Sequence, residues 1–249
     1  MLLSTIKRRA VSCKNLPDIY KDYKAYIQQE TPNHPFKEKK MFIVAWEKNT
    51  QSADLNAFYF YQDLHVAQLI HKNNPKKHVD IWSRIDGFVA HVASYREIEL
   101  FDIRPMSSPI HNVIFTQADL MRLDESMYNY ADSVSSLSVL EHFGLWRYGD
   151  TIDIDWYIKW LDSIYNILQP WGKAYISLPI WPQRVEFNAH RVFSVQYFLS
   201  LFENKYKIDS FSYVDDNGVF HANVALEKDL IDKNYNCVFG NGIIEITKL

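Results

Sequence analysis

The chain has little cysteine: Cys13 and Cys237 are the two among 249 residues. They stand far apart and belong to no Cys-x-x-Cys pair or Cys/His cluster, so neither a disulfide framework nor a zinc site is expected. No spacing of carboxylates and histidines suggests another metal site either. The scarcity of cysteine favours a reducing, cytoplasmic location.

Long apolar runs and a charge excess are also missing. No run approaches the roughly 20 consecutive apolar residues of a membrane-spanning helix. The basic residues 7–9 follow a short apolar patch, the reverse of the order in a signal peptide. With 27 Lys and Arg against 30 Asp and Glu, the net charge is −3, which favours neither nucleic acid nor anionic lipid as a partner. We expect a soluble protein that acts on a small molecule.

Glycine is scarce, with 7 residues, whereas Phe, Tyr and Trp make up 15% of the chain. Aromatic side chains are used in sugar-binding sites, but they more often pack protein cores. The aromatic excess therefore decides no function.

Short apolar runs alternate with amphipathic helical segments, a pattern typical of βαβ units around a parallel sheet. The runs lie at 78–83, 98–103, 113–120, 133–140 and 173–180. After them, the turn at 216–218 predicts a hairpin between 206–216 and 219–226, followed by a last strand at 242–248. We expect an α/β fold with a mostly parallel sheet and a C-terminal antiparallel hairpin.

The sequence predicts where several helices begin or end. The apolar residues of 156–168 recur at helical spacing, with Asp153 or Asp155 as the cap and Pro170 before Gly172 as the stop. Ser194 is predicted to cap a second helix, and Asp63 a third that follows Tyr61.

The first 60 residues differ from the rest in composition. They are charged and interrupted by prolines, with their strongest helical stretch at 19–28 and a short β-like run at 40–46. We expect residues 1–60 to form an N-terminal appendage packed on a core domain of residues 61–249.

Acidic or polar residues close four successive predicted strands. They are Asp80, Asp102, Asp119 and the pair Glu141 and His142. Ligands of open parallel sheets bind beyond the carboxyl ends of the strands, so these are candidate site residues.

The order of these strand ends over about residues 63–182 resembles the class I S-adenosylmethionine-dependent methyltransferases. The resemblance implies a Rossmann-like three-layer sandwich and S-adenosylmethionine as the cofactor. It also implies that Asp102 binds the ribose hydroxyls and Asp119 the adenine amino group, with the adjacent Ile103 and Leu120 in the same site.

The first loop departs from that resemblance. The superfamily has Asp-x-Gly-x-Gly-x-Gly there, and the three glycine positions are here Trp82, Arg84 and Asp86, with Gly87 one residue later. Ser83 and Arg84 are still suited to bind a carboxylate at the start of the next helix. The cofactor-binding prediction therefore includes, from this loop, Asp80, Trp82, Ser83, Arg84 and Gly87. The Trp82 indole would fill cofactor space unless it turns outward onto a helix or the ligand shifts.

A narrower resemblance rests on the strings HVDIWSRIDGFVAH, FDIRP, SVLEHFGLWRYGD and FNAHRVFS. They are similar to a little-characterised methyltransferase-like family of unknown function whose members often lie in surface-polysaccharide gene clusters. That resemblance implies a sugar or glycan-precursor acceptor and assigns no catalytic residue.

His142 is the candidate general base for an acceptor hydroxyl, because the imidazole pKa lies near neutral pH. A pocket-lining role for His142, and a structural role for Glu141, remain open alternatives. The predicted substrate side comprises Tyr61, Arg147, Tyr148, His190 and Arg191. Arg147 is suited to a phosphate or carboxylate, or else pairs with Asp150.

Two main hypotheses follow. The first is an O-methyltransferase that acts on a sugar or glycan precursor by in-line attack. The second is a methyltransferase-shaped binding or assembly component whose cofactor site is lost to Trp82. A third keeps the fold but places another nucleotide-type ligand, such as a nucleotide sugar, against Asp102.

Overall fold

A computed structural model describes residues 2–29, 31–33, 35–36, 38–45 and 55–249. The chain forms two compact units, Met1–Leu55 and Asn56–Leu249. Whether residues 1–60 pack on the core as an appendage stays a prediction.

The first unit contains helix α1 (Leu2–Gln28), with Pro17 inside it. The sequence predicted a helix only from residue 19; a proline removes one main-chain hydrogen bond, and here the helix continues past it. The expected β-like run at 40–46 is not a strand: 40–45 have no regular structure. Residue 46 lies outside the described residues.

The second unit contains an eight-stranded sheet and its covering helices. The helices are α2 (Ala57–Asn73), a π-helical turn (Ile85–Val89) that runs into α3 (Ala90–Ala93), α4 (Trp156–Ile167), α5 (Val195–Ser200) and α6 (Lys228–Asp232). The strands are β1 (His78–Ile81), β2 (Ile98–Asp102), β3 (Val113–Gln117), β4 (Ala131–Leu137), β5 (Leu168–Ile180), β6 (Arg184–Glu186), β7 (His190–Val192), β8 (Tyr206–Val214), β9 (Phe220–His221) and β10 (Gly240–Lys248).

The strand order in the sheet is β3-β2-β1-β4-β5-β10-β8-β9, and β6 pairs with β7 separately. Strands β1 to β5 run parallel, whereas β10 is antiparallel to both β5 and β8. The chain order reverses between β1 and β4, which is the position where open α/β sheets bind ligands. The predicted Rossmann-like α/β sandwich, with antiparallel C-terminal strands, is confirmed.

Alternating side chains of the strands feed two separate cores, one on each face of the sheet. Ile98 and Leu100 pack with α2 and α3, whereas Val79, Ile81 and Phe101 pack with α4 and α5. This period of two is expected of strands covered on both faces.

Several predicted element limits need correction. Helix α2 begins at Ala57, so Asp63 lies inside it, buried, and is not a cap. Asp155 precedes α4 without a side-chain capping bond, and the predicted stop at 170–172 falls inside β5. Ser194 does cap α5, because its hydroxyl accepts from the Tyr197 amide at 3.2 Å. The hairpin of β8 and β9 forms, but its second strand covers only two residues.

Among the described residues, no helix has the length and apolar character to cross a membrane.

Candidate functional site

Asp80 organises the loop after β1 from a fully buried position. Its carboxylate accepts hydrogen bonds from the Ser83 amide at 2.9 Å, the Ser83 hydroxyl at 2.7 Å and the Ser135 hydroxyl at 2.6 Å. Burial raises its pKa to about 7 against these bonds, which favour the charged form. Both oxygens already have donors, so Asp80 shapes the loop rather than lining a cavity as the sequence suggested.

Trp82 follows in the left-handed backbone region, with φ 62°, a conformation that favours glycine. Its indole turns toward α4, and its centroid lies 4.8 Å from that of the Phe143 ring and 5.9 Å from that of Trp160. The indole Nε1 is buried and has no hydrogen-bond partner in the described part of the chain. The ring has therefore turned outward onto the helix, which is one of the alternatives stated from the sequence.

The rest of the first loop joins the π-helical turn to α2. Arg84 donates from Nε and Nη2 to the two carboxylate oxygens of Asp86, at 3.1 and 3.0 Å. A Cβ on Gly87 would overlap the Asp63 carboxylate. Gly87 therefore permits the close approach of α2 and lies outside both cavities described below.

Asp102, at the end of β2, is held by Arg104 two residues later. Arg104 donates its amide and its Nε to Oδ1 of Asp102 at 2.8 and 3.0 Å, and its Nη2 to Oδ2 at 2.6 Å. The same guanidinium lies 5.0 Å from the Trp82 ring centroid. The carboxylate expected to face a ribose thus has a cationic partner.

Two cavities open over the carboxyl ends of the strands. The first, the β3 cavity, measures about 530 Å³ and has aromatic walls and three aspartates, Asp119, Asp150 and Asp153; Ile103, Leu120, Phe143, Trp156 and Trp160 also line it. The second, the β1 cavity, measures about 510 Å³ and contains more charged and hydroxyl side chains than aromatic ones; it is lined by Tyr59, Ser83, Arg84, Asp102, Ser138, His142 and Arg147, with Leu100 and Leu137 among others. Trp82, Arg104 and Tyr148 line both. These three side chains therefore stand between the cavities.

Asp119 starts the short turn Leu120–Arg122 beyond β3. Its Oδ1 accepts from the Met121 amide at 2.9 Å, so the carboxylate is fixed by its own turn. Together with Ile103 and Leu120 it lines the β3 cavity.

Glu141 and His142 occupy the turn after β4. Burial raises the pKa of Glu141 to about 8 and lowers that of His142 to about 4, so both are neutral near pH 7. His142 Nδ1 lies 2.9 Å from the Ala189 carbonyl oxygen and Nε2 lies 3.5 Å from Glu141 Oε1. Both ring nitrogens face protein groups, an arrangement that differs from that of a base directed at an acceptor.

Some of the predicted substrate residues line the β1 cavity and others lie outside it. Arg147 and Tyr148 line the β1 cavity, whereas Tyr61 stacks on Phe220 with ring centroids 5.5 Å apart. His190 pairs with Glu186 at 3.2 Å.

Arg191 is buried, and its guanidinium donates to the main-chain carbonyls of Phe143, Asp153 and Ile154. It secures the segment that follows β4, and neither Arg191 nor His190 nor Tyr61 lines the two cavities. The alternative pairing of Arg147 with Asp150 is wrong: the Asp150 carboxylate accepts from the amides of Gly144 and Tyr148.

The sequence reasoning missed Arg104, Tyr59 and Ser138 as cavity residues. Arg104 carried a signal, since a guanidinium two residues after a strand-end carboxylate reaches back to it. Tyr59 carried none, because it precedes the point where the helix was expected to start.

A family model described as "Caenorhabditis protein of unknown function, DUF268" matches residues 88–238, more than half of the chain. The chain belongs to this family. A search of curated proteins gave no match. The DUF268 match includes β2 to β9 and stops before the last strand.

Solved structures similar to the chain in fold include two N-methyltransferases. The 1,6-didemethyltoxoflavin-N1-methyltransferase of Burkholderia thailandensis, with bound S-adenosylhomocysteine, has a TM-score of 0.54 at 14% identity, covering 76% of this chain and 79% of that one. The MccD protein has a TM-score of 0.51 at 13% identity, with 76% and 96% covered. NodS, an N-methyltransferase of Bradyrhizobium japonicum WM9, has 0.50 at 10% identity, with 78% and 98% covered.

Proposed function

We propose that this DUF268 protein is an S-adenosylmethionine-dependent methyltransferase. The observation that supports it best is the pair of cavities at the β1/β4 reversal of strand order, with Asp102 in the β1 cavity bound to Arg104, which lines both cavities. Each cavity has a volume within the usual range for small-molecule sites.

The residues present fit the two ends of the cofactor. An adenine suits the aromatic walls of the β3 cavity, where Asp119 is the acceptor for its amino group. A methionine carboxylate suits Ser83 and Arg84 in the β1 cavity. The ribose would lie at Asp102 in the β1 cavity, after Arg104 leaves that carboxylate.

The bound cofactor supplies an electrophilic methyl group, and the protein's part is to orient the acceptor. Tyr59, His142, Arg147 and Tyr148 surround the space where an acceptor would meet the methionine end. Holding a nucleophile in line is a large source of rate in a displacement of this kind. We propose a hydroxyl of a sugar or glycan precursor as acceptor, on the resemblance to the polysaccharide-cluster family. Proton removal by His142 requires its Nε2 to turn from Glu141.

The test is calorimetric titration with S-adenosylmethionine and S-adenosylhomocysteine. We expect micromolar binding that Asp102→Ala abolishes and Asp124→Ala retains, because Asp124 is exposed and caps a separate short turn. A wild-type protein that binds neither compound contradicts the proposal.

A second candidate function has its own support. Arg104 occupies Asp102, and Trp82 stands between the cavities, as in a protein that has exchanged cofactor binding for an assembly role in glycan biosynthesis. Absent binding that Trp82→Gly restores would favour this candidate. Binding of a nucleotide sugar in place of S-adenosylhomocysteine would favour the third hypothesis, in which another nucleotide-type ligand lies against Asp102.

A further inference from the structure

The β1 cavity contains more arginine charge than its carboxylates neutralise. Arg84 is paired with Asp86, and Arg104 with Asp102. Arg147 makes no ion pair with any residue that the structure describes. One positive charge in the cavity is therefore left without a partner.

Contacts on one side of the Arg147 guanidinium fix its orientation. Nη1 donates to the Ala189 carbonyl at 2.7 Å and lies 2.9 Å from His142 Nδ1, and the guanidinium lies 5.4 Å from the Tyr148 ring centroid. Within the described residues, Nε and Nη2 make no hydrogen bond. Those two groups form the edge with which arginine binds phosphates and carboxylates bidentately.

The groups beside Arg147 do not supply the missing negative charge. The Ala189 carbonyl is neutral. Burial raises the pKa of Glu141 and lowers that of His142, so these two side chains are also neutral near pH 7. His142 is faced by Glu141, Arg147 and His190, and none of them carries a stable negative charge there.

We propose that the methyl acceptor carries an anionic group, a phosphate or a carboxylate, and that Arg147 binds this group through its Nε and Nη2. The inference rests on the proposed function and names its substrate class. The acceptor's anion would lie beside His142, which places the reacting hydroxyl in the β1 cavity near the methionine end of the cofactor site.

The first test measures anion binding without any acceptor. Inorganic phosphate and pyrophosphate form one arm, and acetate and glucuronate the other; each is titrated by NMR into the full chain saturated with S-adenosylhomocysteine. We expect saturable binding in one arm that weakens at least tenfold in Arg147→Met. We expect Arg147→Lys to recover part of it and Arg96→Met to retain it, because Arg96 lines neither cavity and donates to the Pro75 carbonyl. The responsive arm identifies the acceptor's anion.

The second readout is the His142 titration, which a merely structural Arg147 would leave insensitive to anions. The Arg147 charge contributes to the low pKa of His142. A bound anion should therefore raise that pKa in the wild type, and Arg147→Met should raise it without any anion. Equal anion binding by wild type and Arg147→Met, or none in either arm, overturns the proposal. If the wild type binds an anion through Arg147 but does not bind S-adenosylhomocysteine, the proposed function is overturned. The anion titration is then interpreted for the chain without that compound.

Discussion

Arg104 binds the Asp102 carboxylate through two side-chain nitrogens and its own amide. A ribose can use that carboxylate only after the guanidinium moves away. We therefore expect Arg104→Ala to tighten S-adenosylhomocysteine binding about two- to fivefold, since a part-exposed ion pair contributes up to about 1 kcal/mol. Calorimetry measures the change. Arg96→Ala is the control, because Arg96 lines neither cavity, and weaker binding by Arg104→Ala would show that Arg104 itself holds the cofactor.

Trp82 combines a glycine-type backbone with a ring packed on Phe143 and Trp160. Replacing it with glycine or alanine removes the same ring contacts, but only glycine relieves the left-handed conformation. We expect Trp82→Gly to be more stable than Trp82→Ala by about 1 kcal/mol, and both to be less stable than wild type by about 2 kcal/mol or more. Urea unfolding measures the two differences. Equal stability of the variants would mean that the backbone at residue 82 is not held at positive φ.

The sequence predicted the sheet because strands carry their own pattern. Val79 and Ile81 alternate with Asp80, and Asp102 ends its strand with no other element between it and the site. Long-range side-chain directions could not be predicted from the sequence. The sequence does not show that Arg191 turns inward to main-chain carbonyls of residues 143–154, because that direction depends on the space left by packing.

The helix limits also separate into those that a local signal predicts and those that it does not. Ser194 was found because capping is a local interaction between a hydroxyl and an amide three residues later. The start of α2 was missed because residues 57–61 are almost all apolar or aromatic, and a helix with such a start gives no period. Asp63 therefore resembled a cap while lying within the helix.

Gly144 and Gly149 bound the segment that contains Arg147, and both have positive φ, 72° and 80°. A Cβ on Gly144 would overlap the Asp153 carbonyl oxygen, whereas one on Gly149 meets nothing within 4 Å. We expect Gly149→Ala to cost about 1 kcal/mol through its backbone alone, and Gly144→Ala to cost at least twice as much. Thermal unfolding compares them. Similar losses would show that the Asp153 segment moves aside freely.

The buried Glu141 carboxyl should make the free energy of unfolding fall as the pH becomes mildly alkaline. Burial raises its pKa from 4.5 to about 8, so the folded protein keeps a proton that the unfolded chain releases. Its stabilising contribution is complete below about pH 4.5 and is lost as the pH rises through about 8. Asp80 acts in the same direction up to about pH 7. His142, whose pKa is lowered from 6.5 to about 4, acts in the opposite direction, but only below pH 6.5.

Between pH 7 and 8 the Glu141 contribution should therefore dominate among these groups. We expect the free energy of unfolding to fall there by up to about 1.4 kcal/mol per pH unit, and Glu141→Gln to remove the fall because an amide does not ionise. Urea unfolding at half-unit steps of pH gives the slope, with the exposed Glu125→Gln as the matched control. If Glu141→Gln keeps the wild-type slope, the buried carboxyl at residue 141 is already ionised at pH 7, and His142 is then paired with a charge.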